Sequence, residues 1–269
     1  GTSAADSTGN GNTGTLSGGT WQSSGGHFAG AIQFAWGNLV NCGAGTTLNT
    51  ASATVAFWMK AESLQNANPI DKLPSSTGVG YAVKTRSDGS VWFRVGAEPG
   101  AAMDVYGAVG TYAAGTWVHI ACTFDNATGA LKLYKDGVVD ANQPIWTTTL
   151  NAPSTDFMIS STREPYTGMI DDVRVYDHAL TATEIQAVMS GGGSTVQPPV
   201  ISSMYPTGNK PELGWTSVAG VTYAVYKSTN LLSGWILTPL TNIAGDGSVK
   251  IFADPNPIQP AAFYKVTAR

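Results

Sequence analysis

Gly168-Met-Ile-Asp-Asp-Val-Arg-Val-Tyr-Asp-His-Ala-Leu-Thr-Ala-Thr-Glu-Ile-Gln-Ala-Val188 decides the fold. It reads as a strand, a tight corner and one short helix. Val173 and Val175 alternate with Arg174 and Tyr176, the period of a half-buried strand. Asp171 shares the parity of the two valines, so the pattern points its carboxylate inward with them. An inward carboxylate needs backbone N–H groups or a cation as partner. Thr181-Ala-Thr-Glu184 fits a capping box, and Leu180 and Ile185 take the places of a hydrophobic staple. Gly191 to Gly193 end the helix.

Working outward, three further segments belong with this one. Asp6-Ser-Thr-Gly-Asn-Gly-Asn-Thr-Gly14 is a Gly/Asn-rich opening loop. Thr54-Val-Ala-Phe-Trp-Met-Lys60 is an early apolar strand. Gly115-Thr-Trp-Val-His-Ile-Ala-Cys-Thr-Phe-Asp125, followed by Leu131-Lys-Leu-Tyr-Lys-Asp-Gly137, is a hairpin. In this order the four segments resemble the laminin-G-like jelly rolls of the concanavalin A-like lectin/glucanase superfamily. The resemblance covers roughly residues 1 to 190 and implies a two-sheet antiparallel sandwich. It says little about activity, because one fold hosts many functions.

Alternating runs at Ala31–Phe34, Val55–Lys60, Tyr81–Thr85, Val91–Val95, Trp117–Phe124, Leu131–Tyr134, Phe157–Ser160 and Ile170–Tyr176 make the first domain nearly all β. Asp88-Gly89 and Asp136-Gly137 are hairpin turns between them. This pattern gives three units: a jelly roll over 1–190, a Gly/Ser/Pro linker over 191–199, and a smaller β-sandwich over 200–269. The last, with Leu213-Gly-Trp215 and Tyr264-Lys-Val266, resembles a trimmed fibronectin type III domain. Tyr264 is its candidate tyrosine corner. The fold class expected is therefore all-β throughout.

Only 12% of residues are charged, about half the usual share, and Gly, Ser, Thr, Ala and Asn take their place. This composition suits a secreted or cell-surface protein. The net charge is −4 and no basic run exists, which argues against nucleic acid as a partner. No apolar stretch approaches the roughly 20 residues of a membrane span. No signal peptide is visible, so the chain reads as a mature or trimmed form. Cys42 and Cys122 either form one disulfide or stay as two packed thiols.

Relatives in the resembled family carry an apolar strand just before the segment matching Gly1–Asp6. Its absence here reads either as a trimmed sequence or as a place for strand addition by a neighbouring subunit at the N-terminus. The resemblance also implies a calcium site that joins the opening loop to the last strand, with Asp6, Asn10 and Asp171 as ligands. Ca²⁺ takes about six to eight oxygens, and a Gly-rich loop supplies carboxylate, amide and carbonyl donors.

Glycosidic hydrolysis needs paired carboxyl groups about 5 to 10 Å apart. No strand carries such a pair; Asp71, Asp88, Asp136 and Asp246 lie in turn-like stretches. The resemblance implies a structural role for His119, and His27 and His178 lie in loops with no evident partner. The chain therefore reads as no enzyme. Sugar recognition uses aromatic platforms flanked by polar groups. In Val91-Trp-Phe-Arg-Val95, Trp92 and Arg94 share one face, and Tyr106, Trp146 and Tyr166 are candidates to rim it. The resemblance places Trp58 and Trp117 at buried positions of the family, which assigns both to the core. The function expected is extracellular recognition of a polysaccharide or glycoprotein surface. The alternative is a structural subunit of a self-assembling filament, sheath or surface layer.

Overall fold

A computed structural model describes residues 1–73, 78–98, 101–140, 145, 154–191, 201–207, 210–217, 222–228, 240–255 and 263–268. The chain divides into two compact units, Gly1–Gly192 and Gly193–Arg269.

The first unit holds β1 (Ser3–Ala4), β2 (Gly14–Ser17), β3 (Thr20–Gln22), β4 (Ala31–Phe34) and β5 (Leu39–Asn41). Next come β6 (Ala53–Ala61), β7 (Ala67–Lys72), β8 (Gly80–Thr85), β9 (Val91–Glu98) and β10 (Ala101–Tyr106). The unit is completed by β11 (Val118–Asp125), β12 (Ala130–Lys135), β13 (Val138–Val139), β14 (Met158–Ile159), β15 (Gly168–Tyr176) and α1 (Ala182–Met189). An eight-stranded sheet runs β1-β2-β5-β14-β7-β8-β9-β10, and a seven-stranded sheet runs β13-β12-β11-β6-β15-β4-β3. Every strand pair is antiparallel. The expected jelly-roll sandwich is the fold observed.

Alternate residues of both sheets close on one core. From the eight-stranded sheet come Val40, Ile70, Tyr81, Val83, Val91, Phe93, Val95 and Val105; from the other come Val55, Phe57, Met59, Ile120, Cys122, Phe124 and Ile170. Cys122 is a buried free thiol in this core, and Cys42 a half-buried one. The capping box forms as read: Glu184 N donates to Thr181 Oγ1, and Thr181 N donates to Glu184 Oε2. It starts α1 over the outer face of the seven-stranded sheet, where Leu180, Ile185 and Val188 bury Ala56, Ala121 and Tyr134. The outer face of the eight-stranded sheet carries no such helix among the described residues.

The inward Asp171 needs correction. β15 pairs with β6 as Ile170↔Met59 and Asp171↔Trp58, then shifts register before Arg174↔Ala56 and Val175↔Val55. The extra residue sits at Asp172, which has φ of 50°. A bulge of this kind reverses the facing of the residues after it. Asp171 therefore stands on the outer face with Trp58, while Val173 and Val175 pack against the core.

The second unit contains β16 (Ile201–Thr207), β17 (Lys210–Thr216), β18 (Thr222–Ser228), β19 (Thr241–Ala244), β20 (Val249–Ala253) and β21 (Phe263–Ala268). They form two three-stranded sheets, β16-β17-β20 and β19-β18-β21. Leu213, Trp215, Tyr223, Val225 and Val266 make its core. The Tyr264 hydroxyl donates to the Asp254 carboxylate (2.7 Å), which also pairs with Lys227 (2.6 Å), so its partner is a side chain and not the backbone of a tyrosine corner.

Candidate functional site

The outer face of the eight-stranded sheet is built by parity. Because Val91, Phe93 and Val95 turn to the core, Trp92 and Arg94 turn out, as the sequence predicts. The same reasoning turns out Lys84 on β8 and Asp104 and Tyr106 on β10. The registers then place these side chains in rows across the strands. Lys84, Trp92 and Tyr106 stand opposite one another, and so do Asp71, Ala82, Arg94 and Asp104.

In the first row, the rings of Trp92 and Tyr106 meet edge to face at 4.4 Å between centroids. This is a favoured aromatic geometry. Tyr106 remains 40% exposed. The Arg86 guanidinium lies 4.2 Å from the Trp92 ring centroid, a cation–π contact. In the second row, Arg94 grips Asp104 with two bonds, Nε to Oδ1 at 2.7 Å and Nη2 to Oδ2 at 2.6 Å. Tyr106 Oη donates to Asp104 Oδ2 at 3.0 Å, tying the rows together. Burial and this bond push the Tyr106 hydroxyl pKa up, which keeps it a donor. The Asp104 hydrogen bond holds Arg94 charged more firmly than usual.

Toward the middle of the sheet, Lys84 pairs with Glu164 at 2.9 Å. Fully buried Asp71 accepts from Arg163 Nη2 (2.8 and 2.9 Å), Ser161 Oγ (2.6 Å) and Leu73 N (3.0 Å). Near the β1 edge the same face opens into a groove of about 420 Å³ lined by Thr13, Thr15, Ser17, Asn41, Cys42, Gly43 and Asp156. Asn41 is fixed there by donating to Asp156 (2.8 Å) and accepting from Gly43 N (2.7 Å). Hydroxyl and amide groups at one end and an aromatic pair at the other make a surface suited to a polyhydroxylated ligand.

Of the predicted rim residues, Trp92, Arg94 and Tyr106 come together. Tyr166 does not: it is 0% exposed within the core, with its hydroxyl donating to the Met169 carbonyl at 3.4 Å. Its ring fills space between the sheets, and burial raises its hydroxyl pKa well above the ordinary value. Trp146 lies outside the described residues. Sequence reading missed Arg86, Asp104 and the Asp71–Arg163 pair. Arg86 had a signal, since it comes two residues after Lys84 and just before the Asp88-Gly89 turn. Asp71 had none, because Arg163 is 92 residues away.

The calcium candidates are engaged separately. Asp6 Oδ1 accepts from Thr8 N (2.9 Å) and Thr8 Oγ1 (2.6 Å), and Oδ2 from Asn12 N (2.9 Å). Against the desolvation of its partial burial, these bonds hold the Asp6 carboxyl pKa below its ordinary value. Exposed Asn10 donates its backbone N–H to Thr8 Oγ1 in the same loop. Asp171 Oδ2 accepts from Phe28 N at 2.9 Å, the backbone partner that the sequence allowed. No hydrogen bond or ion pair joins Asp6 or Asn10 to Asp171. Among the described residues no three His, Cys, Asp or Glu side chains converge as a metal site. Asp6 and Asn10 are thus engaged within the opening loop, and Asp171 with Phe28.

The opposite outer face holds the histidines. His27 stacks on Trp58 at 3.4 Å and 11° between planes, a partner the sequence did not reveal. Trp58 is buried as expected, but beneath His27 rather than between the sheets; Trp117 is only half-buried, 6.2 Å from His27. His119 is 1% exposed with Nδ1 unpartnered, and burial, aided by Arg174 and His27, lowers its pKa to about 4. Exposed His178 pairs with Asp177 at 2.8 Å.

Comparison with solved structures gives the same fold at low identity. Domain 4 of AbnA, a GH43 extracellular arabinanase from Geobacillus stearothermophilus, in complex with arabinotriose, is 24% identical with a TM-score of 0.55, covering 68% of this chain and 91% of that one. The binding domain of Paraclostridial Mosquitocidal Protein 1 is 13% identical with a TM-score of 0.54, covering 83% of this chain and 56% of that one. The Botulinum Neurotoxin serotype G binding domain is 14% identical with a TM-score of 0.53, covering 89% and 60%. This chain thus spans little more than half of either toxin domain. No match was found among curated protein sequences. No helix among the described residues is long and apolar enough to cross a membrane, which says nothing of β-barrels. A laminin G family model described as the concanavalin A-like lectin/glucanases superfamily matches residues 37–186, more than half of the 269-residue sequence, and the chain belongs to that superfamily.

Proposed function

We propose that this is a non-catalytic, extracellular glycan-binding protein that holds sugar on the outer face of its eight-stranded sheet. The Trp92–Tyr106 pair, rigidly mounted beside Arg94–Asp104, is the observation that carries the reading. A sugar ring offers C–H groups to aromatic surface and hydroxyls to fixed donors and acceptors. The arabinanase domain, whose structure holds arabinotriose, supports the reading by fold alone. The non-catalytic part rests on charge. Asp104, Glu164 and Asp71 on this face are each engaged by a neighbouring cation, whereas glycosidic hydrolysis needs two carboxyl groups turned to the sugar. A glycan array probed with the wild type, Trp92→Ala and Tyr106→Ala tests it. Wild type should bind at least one saccharide class, and either variant should lose at least about tenfold in affinity. Unchanged binding in both variants would move the site elsewhere.

A second reading, assembly by strand addition, draws support from β15. That strand pairs with β6 as far as Tyr176 but with β4 only over Gly168–Ile170. Val173 and Val175 beyond that point pack on the core yet stay only partly buried. An added strand would cover them. Light scattering and negative-stain imaging test this: polymers favour it, and a monomer at high concentration removes it.

A further inference from the structure

Among the described residues, four cations stand on the outer face around the aromatic pair and the middle of the sheet. Three are neutralised: Arg94 by Asp104, Lys84 by Glu164 and Arg163 by Asp71. The fourth is Arg86. Its backbone is held from both sides. Its N–H donates to Ser90 O, and its carbonyl accepts from Gly89 N and from the Tyr112 hydroxyl. Its guanidinium is laid against Trp92 at 4.2 Å, and no ion pair or side-chain hydrogen bond engages it among the described residues. Asp88, two residues on, has Oδ1 committed to Ser90 N (2.9 Å) and Ser90 Oγ (2.6 Å), and it attracts Arg86 through space without an ion-pair contact. A guanidinium stacked on an indole keeps its N–H donors free in its own plane, the geometry that grips a carboxylate or sulfate with two bonds. The chain as a whole carries −4 and gives no general attraction to polyanions, so an anion captured here is captured locally.

We propose that Arg86 makes this an acidic-sugar site: it binds the carboxylate or sulfate of an anionic saccharide whose ring packs on the exposed surface of the Trp92–Tyr106 pair. The inference rests on the glycan reading above and adds the class of sugar to it. Nothing covalent is involved. Arg94 cannot take the role, because Asp104 already fills its fork.

Calorimetric titration of the full chain with three probes tests it: an oligogalacturonate, its carboxyl-reduced neutral counterpart, and a carrageenan oligosaccharide, which is sulfated but holds no carboxylate. The expected result is that one anionic probe binds at least about tenfold tighter than the neutral one, the worth of a charge-assisted hydrogen bond. Which anionic probe binds tells carboxylate from sulfate. Arg86→Gln should remove that preference, and Arg86→Lys should restore part of it, since charge returns without the planar fork. Rising salt should weaken the anionic probe and leave the neutral one unchanged. Melting curves verify that both variants fold; if Arg86→Gln does not, Arg86→Lys and the salt series decide. Neutral sugars binding as well as acidic ones, or an acidic preference that survives Arg86→Gln, would overturn this inference and leave the glycan reading standing. No binding to any saccharide on the array would overturn both.

Discussion

Lowering the pH from 7 to 4 should destabilise the first unit through one residue, His119. Its imidazole is buried, Nδ1 has no partner, and its pKa falls from 6.5 to about 4. Between those values the folded chain keeps this histidine neutral while the unfolded chain protonates it. Unfolding then takes up a proton, so stability falls as pH falls. The effect is absent above pH 6.5, grows through the window, and levels off below about 4. At about 1.4 kcal/mol per pKa unit, this is a loss of about 3 kcal/mol. Asp172, whose pKa burial raises, acts with opposite sign nearby, so the variant difference is what isolates the histidine. Urea unfolding at several pH values between 4 and 7 would be compared for wild type and His119→Leu. The variant should lose most of the slope, whatever its stability at pH 7. Parallel slopes in the two proteins would refute the reasoning.

Other expectations concern packing and loops. Asp71→Asn removes the charge that answers Arg163 in a buried setting and should cost about 3 kcal/mol, at the lower end for such pairs because Arg163 is one-third exposed; chemical denaturation reads this directly. Thr181→Ala breaks the capping box and should cost about 1 kcal/mol, seen as a melting shift of about 2–4 °C. Because both Asp6 oxygens are satisfied within their own loop, chelator should leave the melting curve unmoved; a calcium-dependent rise abolished by Asp6→Asn would show the loop to be a cation site.

The sequence made legible whatever period and local chemistry encode. The capping box, both Asp-Gly turns and the strand with Trp92 and Arg94 outward are all local, and all formed. β7 was invisible because Ala67-Asn-Pro-Ile-Asp-Lys72 shows no apolar alternation, yet it lies centrally in the eight-stranded sheet. Its buried charge is answered from Arg163, a contact no local rule supplies. Parity failed at Asp171 because a single bulge residue, Asp172, reverses facing without any glycine to announce it. Tyr166 looked like a rim residue because its surroundings are loop-like, but loop residues also fill cores. Arg86 was overlooked as part of a turn, although counting by twos from Lys84 puts it on the outer face of the eight-stranded sheet.

The most direct test is hydrogen exchange of the wild-type chain with and without its best array ligand. The account predicts protection concentrated in residues 80–106, where β8, β9 and β10 present Trp92, Tyr106 and Arg86. Protection confined to the outer face of the seven-stranded sheet, around Trp58 and α1, would contradict it.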